Sequence, residues 1–132
     1  MPDDAYDLYT LGCEMLSTGN PAQAALLLER ACLLEEGKSS IWEALGRARF
    51  AMRWHEEASE AFKKVLEIDP SNHYAHYCFA VCLEVLGRLE EAGGHIKLAL
   101  AMAPENEDYE VVYARIRMRG SGRGDGGTGG QD

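Results

Sequence analysis

An all-α fold, an α-solenoid of three helix-turn-helix repeats closed by a C-terminal capping helix, follows from three observations on the sequence. The stretch from Trp42 to Pro70 has copies on both sides at a spacing of 34 residues. Leu45-Gly46, Ala58, Phe62, Val65 and Pro70 recur forward as Phe79-Ala80, Ala92, Ile96, Ala99 and Pro104. Backward, Trp42, Leu45-Gly46, Ala58, Phe62 and Val65 recur as Leu8, Leu11-Gly12, Ala24, Leu28 and Ala31. Self-similarity at a fixed period of this order marks a row of stacked supersecondary units. Inside each copy the apolar residues return every three or four positions, the period of a helix buried along one side. Between those runs stand Gly, Pro, Asn and Asp, which punctuate helices. The register holds despite local departures: Trp42 corresponds to His76, Gly46 to Ala80, and the closing Pro70 to Glu36.

Asp3 or Asp4 supplies a cap for the first helix, with Leu8, Leu11, Met15 and Leu16 at helical spacing. Gly19-Asn20-Pro21 then provides a stop, an N-cap and a first-turn proline. The second helix, about 21–35, turns Ala24, Leu27, Leu28, Ala31 and Leu34 toward the first and leaves Leu26 and Leu33 facing away. Ser40 and Glu43 have the spacing of a capping box for a helix over about 40–52. Trp54 follows in the turn and is read as a packed residue, because Trp is mostly buried. Asn72 is placed to cap the fifth helix, over 73–86. The sixth begins near Leu89 and carries Gly93-Gly94 at its centre, read as substitutions on an open face that weaken the helix.

Asn106 caps a last helix with Glu107 and Asp108 in its first turn and Arg115, Arg117 and Arg119 toward its end, charges that oppose the helix dipole. Its apolar side, read as Val111, Val112, Ala114 and Ile116, covers the third repeat. Gly120 is expected to stop it. The domain therefore spans 1–119, with repeats at about 5–38, 39–72 and 73–106 and a capping helix over 107–119. Residues 120–132 are Gly-rich with too little apolar surface to order themselves, and are read as a disordered tail. Arg119-Gly120 and Arg123-Gly124 lack the aromatics of an RNA-binding segment, which favours a plain linker.

Composition narrows the function. The chain has 132 residues, 46% of them hydrophobic, enough for one elongated unit. Its formal net charge is -9, and 20 of the 22 acidic side chains lie in residues 1–110. Such a body repels phosphate, so nucleic acid is not an expected partner. Met1-Pro2-Asp3-Asp4 lacks a basic-then-apolar leader and no run is apolar over about 20 residues, so neither secretion nor membrane insertion is expected, and a cytoplasmic protein is. Cys13, Cys32, Cys78 and Cys82 fall on helices and are expected reduced. Cys78 and Cys82 with His73 and His76 lack the second ligand pair of a structural zinc site, so they are read as packed or surface residues with no metal. No phosphate loop, zinc-protease His-Glu pair or nucleophile motif is present, and no enzyme activity or cofactor is expected.

The 34-residue period, with an aromatic, a Leu-Gly pair, an Ala, an aromatic, an Ala and a closing Pro, resembles the tetratricopeptide repeat family over about residues 5–104. The resemblance implies a right-handed solenoid whose leading helices line a concave wall that binds proteins. Carried onto this sequence, the wall comprises Tyr6, Tyr9, Thr10, Cys13 and Leu16 of the first repeat and Glu43, Ala44, Arg47 and Phe50 of the second. The third adds Tyr74, Tyr77, Cys78, Val81 and Val85, and the last helix Val111, Val112 and Arg115. A subset of the family clamps the carboxylates of chaperone tails with Lys, Arg and Asn. The corresponding positions here, Tyr9, Cys13, Ala44, Tyr74 and Cys78, hold no cation. The expected ligand is thus a protein or peptide segment held by apolar and aromatic contacts, with Arg47 and Arg115 fixing its orientation. Family members also self-associate through end helices, so Leu26 and Leu33 keep open a second reading as a homo-oligomeric assembly subunit.

Overall fold

Seven helices make up the computed structural model, which describes residues 4–129 and side chains over 4–121. They are α1 (Ala5–Ser17), α2 (Pro21–Leu34), α3 (Ser39–Ala51), α4 (His55–Ile68), α5 (His73–Val85), α6 (Leu89–Met102) and α7 (Glu107–Gly129), with no strand among the described residues. Each helix packs on the next, while α1 also touches α3 and α5 touches α7. This is a solenoid of helix pairs in which α1, α3 and α5 lead and α2, α4 and α6 return.

The leading helices all end in the same way, and the cause is local. Gly19, Arg53 and Gly87, spaced by the repeat, adopt φ of 82°, 64° and 82°. Each left-handed residue donates its N–H to a carbonyl three residues back, and the following N–H reaches five residues back. Asn20 N to Met15 O is 2.8 Å, Trp54 N to Arg49 O is 2.9 Å and Arg88 N to Leu83 O is 2.8 Å. This is the Schellman closure, and it satisfies carbonyls that the helix end would leave bare. In the second repeat an arginine occupies the position that glycine fills without steric cost. Trp54 follows at the N-cap of α4, and 50% of its surface is exposed. The packed turn residue expected from the sequence is not found, because the bend leaves Trp54 outside the packing faces of both helices.

Caps were only partly legible. Asp4 accepts from Asp7 N at 2.8 Å, Asn72 from Ala75 N at 3.0 Å and Asn106 from Tyr109 N at 3.1 Å. Asp3, the other candidate for the first cap, lies outside the described residues. Asn20 occupies the N-cap of α2 without capping it, since its Nδ2 donates instead to Thr18 Oγ1 at 3.1 Å. The expected Ser40-Glu43 box does not form either. Helix α3 starts at Ser39 with Lys38 as N-cap, so Ser40 already has a place inside the first turn.

The core runs lengthwise in two clusters that meet at α4, with Ala61 in the first and Ala58 and Phe62 in the second. Its tightest points lie between paired helices. A Cβ on Gly12 would sit 2.7 Å from Leu28, and one on Gly46 would sit 2.7 Å from the Phe62 ring. Glycine in the leading helix is what lets the large residue of the return helix seat. By contrast, nothing lies within 4 Å of a Cβ at Gly93 or Gly94, as an open face requires. Leu26 and Leu33 are exposed, as their spacing predicts.

Helix α7 departs from expectation in two respects. Its buried side is Tyr109, Val112 and Ile116, whereas Val111 and Ala114 are exposed. Spacings of three and four put 109, 112 and 116 on one stripe, and 111 and 114 fall to either side of it. Its backbone also remains helical beyond Gly120, the expected end, since Gly120 does not take the left-handed conformation of a stop. Residues 130–132 of the expected tail lie outside the described residues.

An ion-pair cluster ties α7 to α5. Glu84 is 3% exposed, and Arg115 donates to both its oxygens, Nε to Oε2 at 2.7 Å and Nη2 to Oε1 at 2.6 Å. Arg119 adds a third bond at 3.0 Å. Burial pushes the Glu84 carboxyl up, but the hydrogen bonds and charges of Arg115 and Arg119 outweigh it and hold the pKa below the ordinary value.

Three outcomes are expected. Arg53→Gly relieves the left-handed strain and raises stability by about 0.5–1.5 kcal/mol in a denaturant melt. Gly93→Ala with Gly94→Ala raises it by about 1–2 kcal/mol, since each gains helix propensity without a clash. Glu84→Gln costs about 1–3 kcal/mol at neutral pH. A carboxyl whose folded pKa lies below its unfolded one stabilises fully above about pH 4.3 and stops doing so as pH falls through the folded value. The gap between wild type and Glu84→Gln therefore narrows below that pH, and melts at a series of pH values check it.

Candidate functional site

The leading helices α1, α3 and α5 bring most of the expected wall residues to one side, but in two groups. At its centre is a cavity of about 210 Å³ lined by Arg47, Phe50, Phe62, Tyr74, Tyr77, Cys78 and Val81. Six of these, all but Phe62, are among the wall residues expected from the sequence. Phe62 was missed because it belongs to a return helix, yet the glycine facing it at 46 is the signal that its ring reaches through. The volume lies below the range of about 300–1,000 Å³ usual for small-molecule sites and suits one large side chain of a partner.

Tyrosines and an arginine set the polarity. Tyr74 stands 6.0 Å from Tyr77, and Tyr77 stacks on Tyr109 of α7 at 4.8 Å and 26°. Tyr109 in turn shares a 2.9 Å hydrogen bond between its hydroxyl and His73 Nδ1. Burial raises the pKa of Tyr74 and Tyr77, with Cys78 adding to it, so both remain neutral hydrogen-bond donors. Tyr109 was not assigned from the sequence, although its spacing from Val112 and Ile116 marks it. Burial pushes the thiols of Cys78, Cys82 and Cys32 up to about 12, so they are protonated and unreactive at neutral pH. Among the described residues no cluster of three or more His, Cys, Asp or Glu could hold a metal ion.

Arg47 is exposed, and its charge acts on Tyr9, Tyr74 and Cys78, which places it between the first and third repeats. It makes no ion pair among the described residues. Arg115 is different. Both of its bonds go to Glu84, so the orienting role expected for it is taken up by the fold. Nothing in the sequence around Arg115 names Glu84 as its partner.

The remaining wall residues lie apart from the cavity. Tyr9, Cys13 and Leu16 are half-buried against the first core cluster. Burial raises the Tyr9 pKa, with Cys13 and Glu43 adding to it and Arg47 opposing. Tyr6 is 74% exposed and with Tyr9 lines a depression of about 640 Å³ beside Glu35, Lys38 and Ile41. Glu43 is half-buried, Val85 is exposed at the end of α5, and Thr10 is exposed. Ala44 and Val112, expected on the wall, are buried in the core instead. A position with a small or apolar side chain pointing into a helix seam is not available to a ligand.

Comparison with known proteins places this architecture. A tetratricopeptide repeat family model matches residues 50–116, and a second matches residues 9–73. A peroxisomal targeting signal receptor of Candida glabrata is 32% identical over 75 residues, 57% of this chain and 13% of that protein, so the chain spans only a small part of that relative. The Yersinia enterocolitica type III secretion chaperone SycD, solved with a peptide of the translocator YopD, superposes with a TM-score of 0.80 at 21% identity, covering 86% of this chain and 92% of that one. The first tetratricopeptide domain of Spaghetti (RPAP3), solved with the HSP90 peptide SRMEEVD, gives 0.86 at 16% identity over 89% and 94%. At such identities the two superpositions speak to fold. With the repeat models matching from residue 9 to residue 116 and helix pairs observed in the same register, the chain belongs to the tetratricopeptide repeat family.

Proposed function

We propose that this chain is a non-catalytic, cytoplasmic protein-interaction scaffold whose concave wall binds a peptide or partner segment by apolar and aromatic contacts. The observation that carries the reading is the cavity between α3 and α5, where Phe50, Phe62, Tyr74, Tyr77 and Val81 offer apolar surface around the cationic Arg47. A Leu, Met or Phe side chain buried there contributes about 1.5–3 kcal/mol, and Arg47 donates to a backbone carbonyl or carboxylate beside it. Peptide complexes of two structurally similar proteins, SycD with YopD and the Spaghetti domain with SRMEEVD, support a peptide as ligand.

The wall argues against an acidic chaperone tail. The family's clamp needs cations, whereas Tyr9, Cys13, Ala44, Tyr74 and Cys78 hold its positions here, and Ala44 is buried. Self-association does not compete for the same surface, because Leu26 and Leu33 project from α2. No helix among the described residues is long and apolar enough to cross a membrane.

An immobilised peptide array that varies one large apolar residue and its acidic neighbour, with SRMEEVD included, tests the reading. Peptides with the apolar anchor are expected to bind, and SRMEEVD at least tenfold more weakly. Against the best array peptide, Tyr74→Ala is expected to cost about 1–3 kcal/mol of affinity with an unchanged melting temperature. Arg115→Ala is expected to lower the melting temperature and leave affinity alone. Tight binding of SRMEEVD, or an array peptide indifferent to both Tyr74→Ala and Arg47→Ala, overturns the proposal.

A further inference from the structure

The last helix presents a second face that the rest of the molecule covers only at Tyr113, which is half-buried against the second core cluster. Glu110, Tyr113, Ala114, Arg117, Met118 and Ser121 line an open depression of about 470 Å³ along α7. Glu110 is followed at three and four by Tyr113 and Ala114, these by Arg117 and Met118, and those by Ser121, so together they form a single stripe. The repeat register identifies the stripe. Tyr113-Ala114 stands 34 residues beyond Phe79-Ala80 and 68 beyond Leu45-Gly46, the pair on which each leading helix receives its return helix. In the earlier repeats the small residue of that pair is covered by a large one, Gly12 by Leu28 and Gly46 by Phe62. Ala114 is exposed, and 76% of the Met118 surface is bare. Helix α7 is thus a leading helix without its return helix among the described residues.

The charges on the stripe indicate what fits. Glu110 and Arg117 lie seven residues apart, two turns along the same face, on either side of Tyr113-Ala114. Among the described residues neither has an oppositely charged partner, and Arg117 instead lies 5.6 Å from the Tyr113 ring centroid. A face with a carboxylate at one end, a guanidinium at the other and a large-small pair at its midpoint is complementary to itself when one copy is turned end for end. Antiparallel pairing sets Glu110 of each copy against Arg117 of the other and Tyr113 of each over Ala114 of the other. That is the large-over-small contact of the repeats, made across a two-fold axis. An isologous contact of this kind closes at two subunits. On α7 itself Arg115, Arg117 and Arg119 balance Glu107, Asp108 and Glu110, so this helix adds no net charge over 107–121 to the repulsion between two acidic chains.

The geometry points to a homodimer in which the α7 helices of two copies pair antiparallel, each supplying the other with its missing return helix. This surface lies apart from the cavity between α3 and α5, so dimerisation and peptide binding are separable.

Sedimentation equilibrium of the full chain across the micromolar range tests it. Wild type is expected to show a monomer–dimer equilibrium. Glu110→Arg and Arg117→Glu each turn two attractive contacts into two repulsive ones and are expected to raise the dissociation constant at least tenfold. The double variant Glu110→Arg with Arg117→Glu restores both pairs and is expected to return the constant to within about threefold of wild type. Thermal melts of the variants at monomeric concentration are expected to match one another, because both side chains are exposed. A wild type that stays monomeric overturns the proposal and leaves the face to a helix of some other protein. A dimer indifferent to both single reversals, or a double variant that does not recover, overturns it equally.

Discussion

The close seating of a large return-helix side chain on a small leading-helix residue is the contact on which the other features of this protein rest. Where Leu28 meets Gly12 and Phe62 meets Gly46, even a methyl group would have to displace its neighbour. Backbones held that close fix the angle and depth of each helix pair, and identical pairs stack into a solenoid because each buries the face that the previous one leaves open. The groove is a by-product of the same constraint. Phe62 reaches the cavity wall only because Gly46 has no side chain in its way.

A solenoid has ends, and the two ends of this one are handled differently. The outer positions of α1 corresponding to buried Ile41, Ala44 and Ala48 are Asp7, Thr10 and Glu14, all exposed and polar, which suits water. At the other end α7 buries Tyr109, Val112 and Ile116 against the third repeat and is fastened through Glu84 to Arg115 and Arg119. A buried carboxylate is unfavourable alone and is tolerated because three charge-assisted bonds satisfy it. The fastening diverts Arg115 from the groove, and stacking diverts part of Tyr77 to Tyr109, so the terminal helix takes two side chains that a ligand would otherwise use. Arg47 is left as the cation of the wall.

The second repeat holds the one left-handed residue other than glycine among the described residues. Arg53 holds the left-handed position that glycine holds in its neighbours, and Trp54 stands exposed beside it. His76 occupies the register position of Trp42, and its ring bonds Pro70 O at 2.9 Å and His95 Nδ1 at 3.0 Å where Trp42 donates to Glu36 O at 2.8 Å. Burial and then His76 lower the pKa of His95, which favours its neutral imidazole. Polar groups replace an apolar anchor here without loss of register because each finds a partner.

By itself the sequence determined the repeat period, the seven helices, the helix pairs and the caps at Asn72 and Asn106, and it narrowed the first cap to Asp3 or Asp4, since those signals act between residues adjacent or a few turns apart. Resemblance to the tetratricopeptide repeat put Arg47, Phe50, Tyr74, Tyr77 and Val81 on the expected wall, and these five line one cavity. The sequence misjudged the start of α3, where competing caps differ by about a kilocalorie per mole, and the end of α7. Only the tertiary structure decided that Arg115 binds Glu84, 31 positions away, and that Tyr109 meets His73, 36 away. No local rule selects among the many carboxylates and rings on such helices; the partner is whichever one the stacking of neighbouring repeats brings within reach.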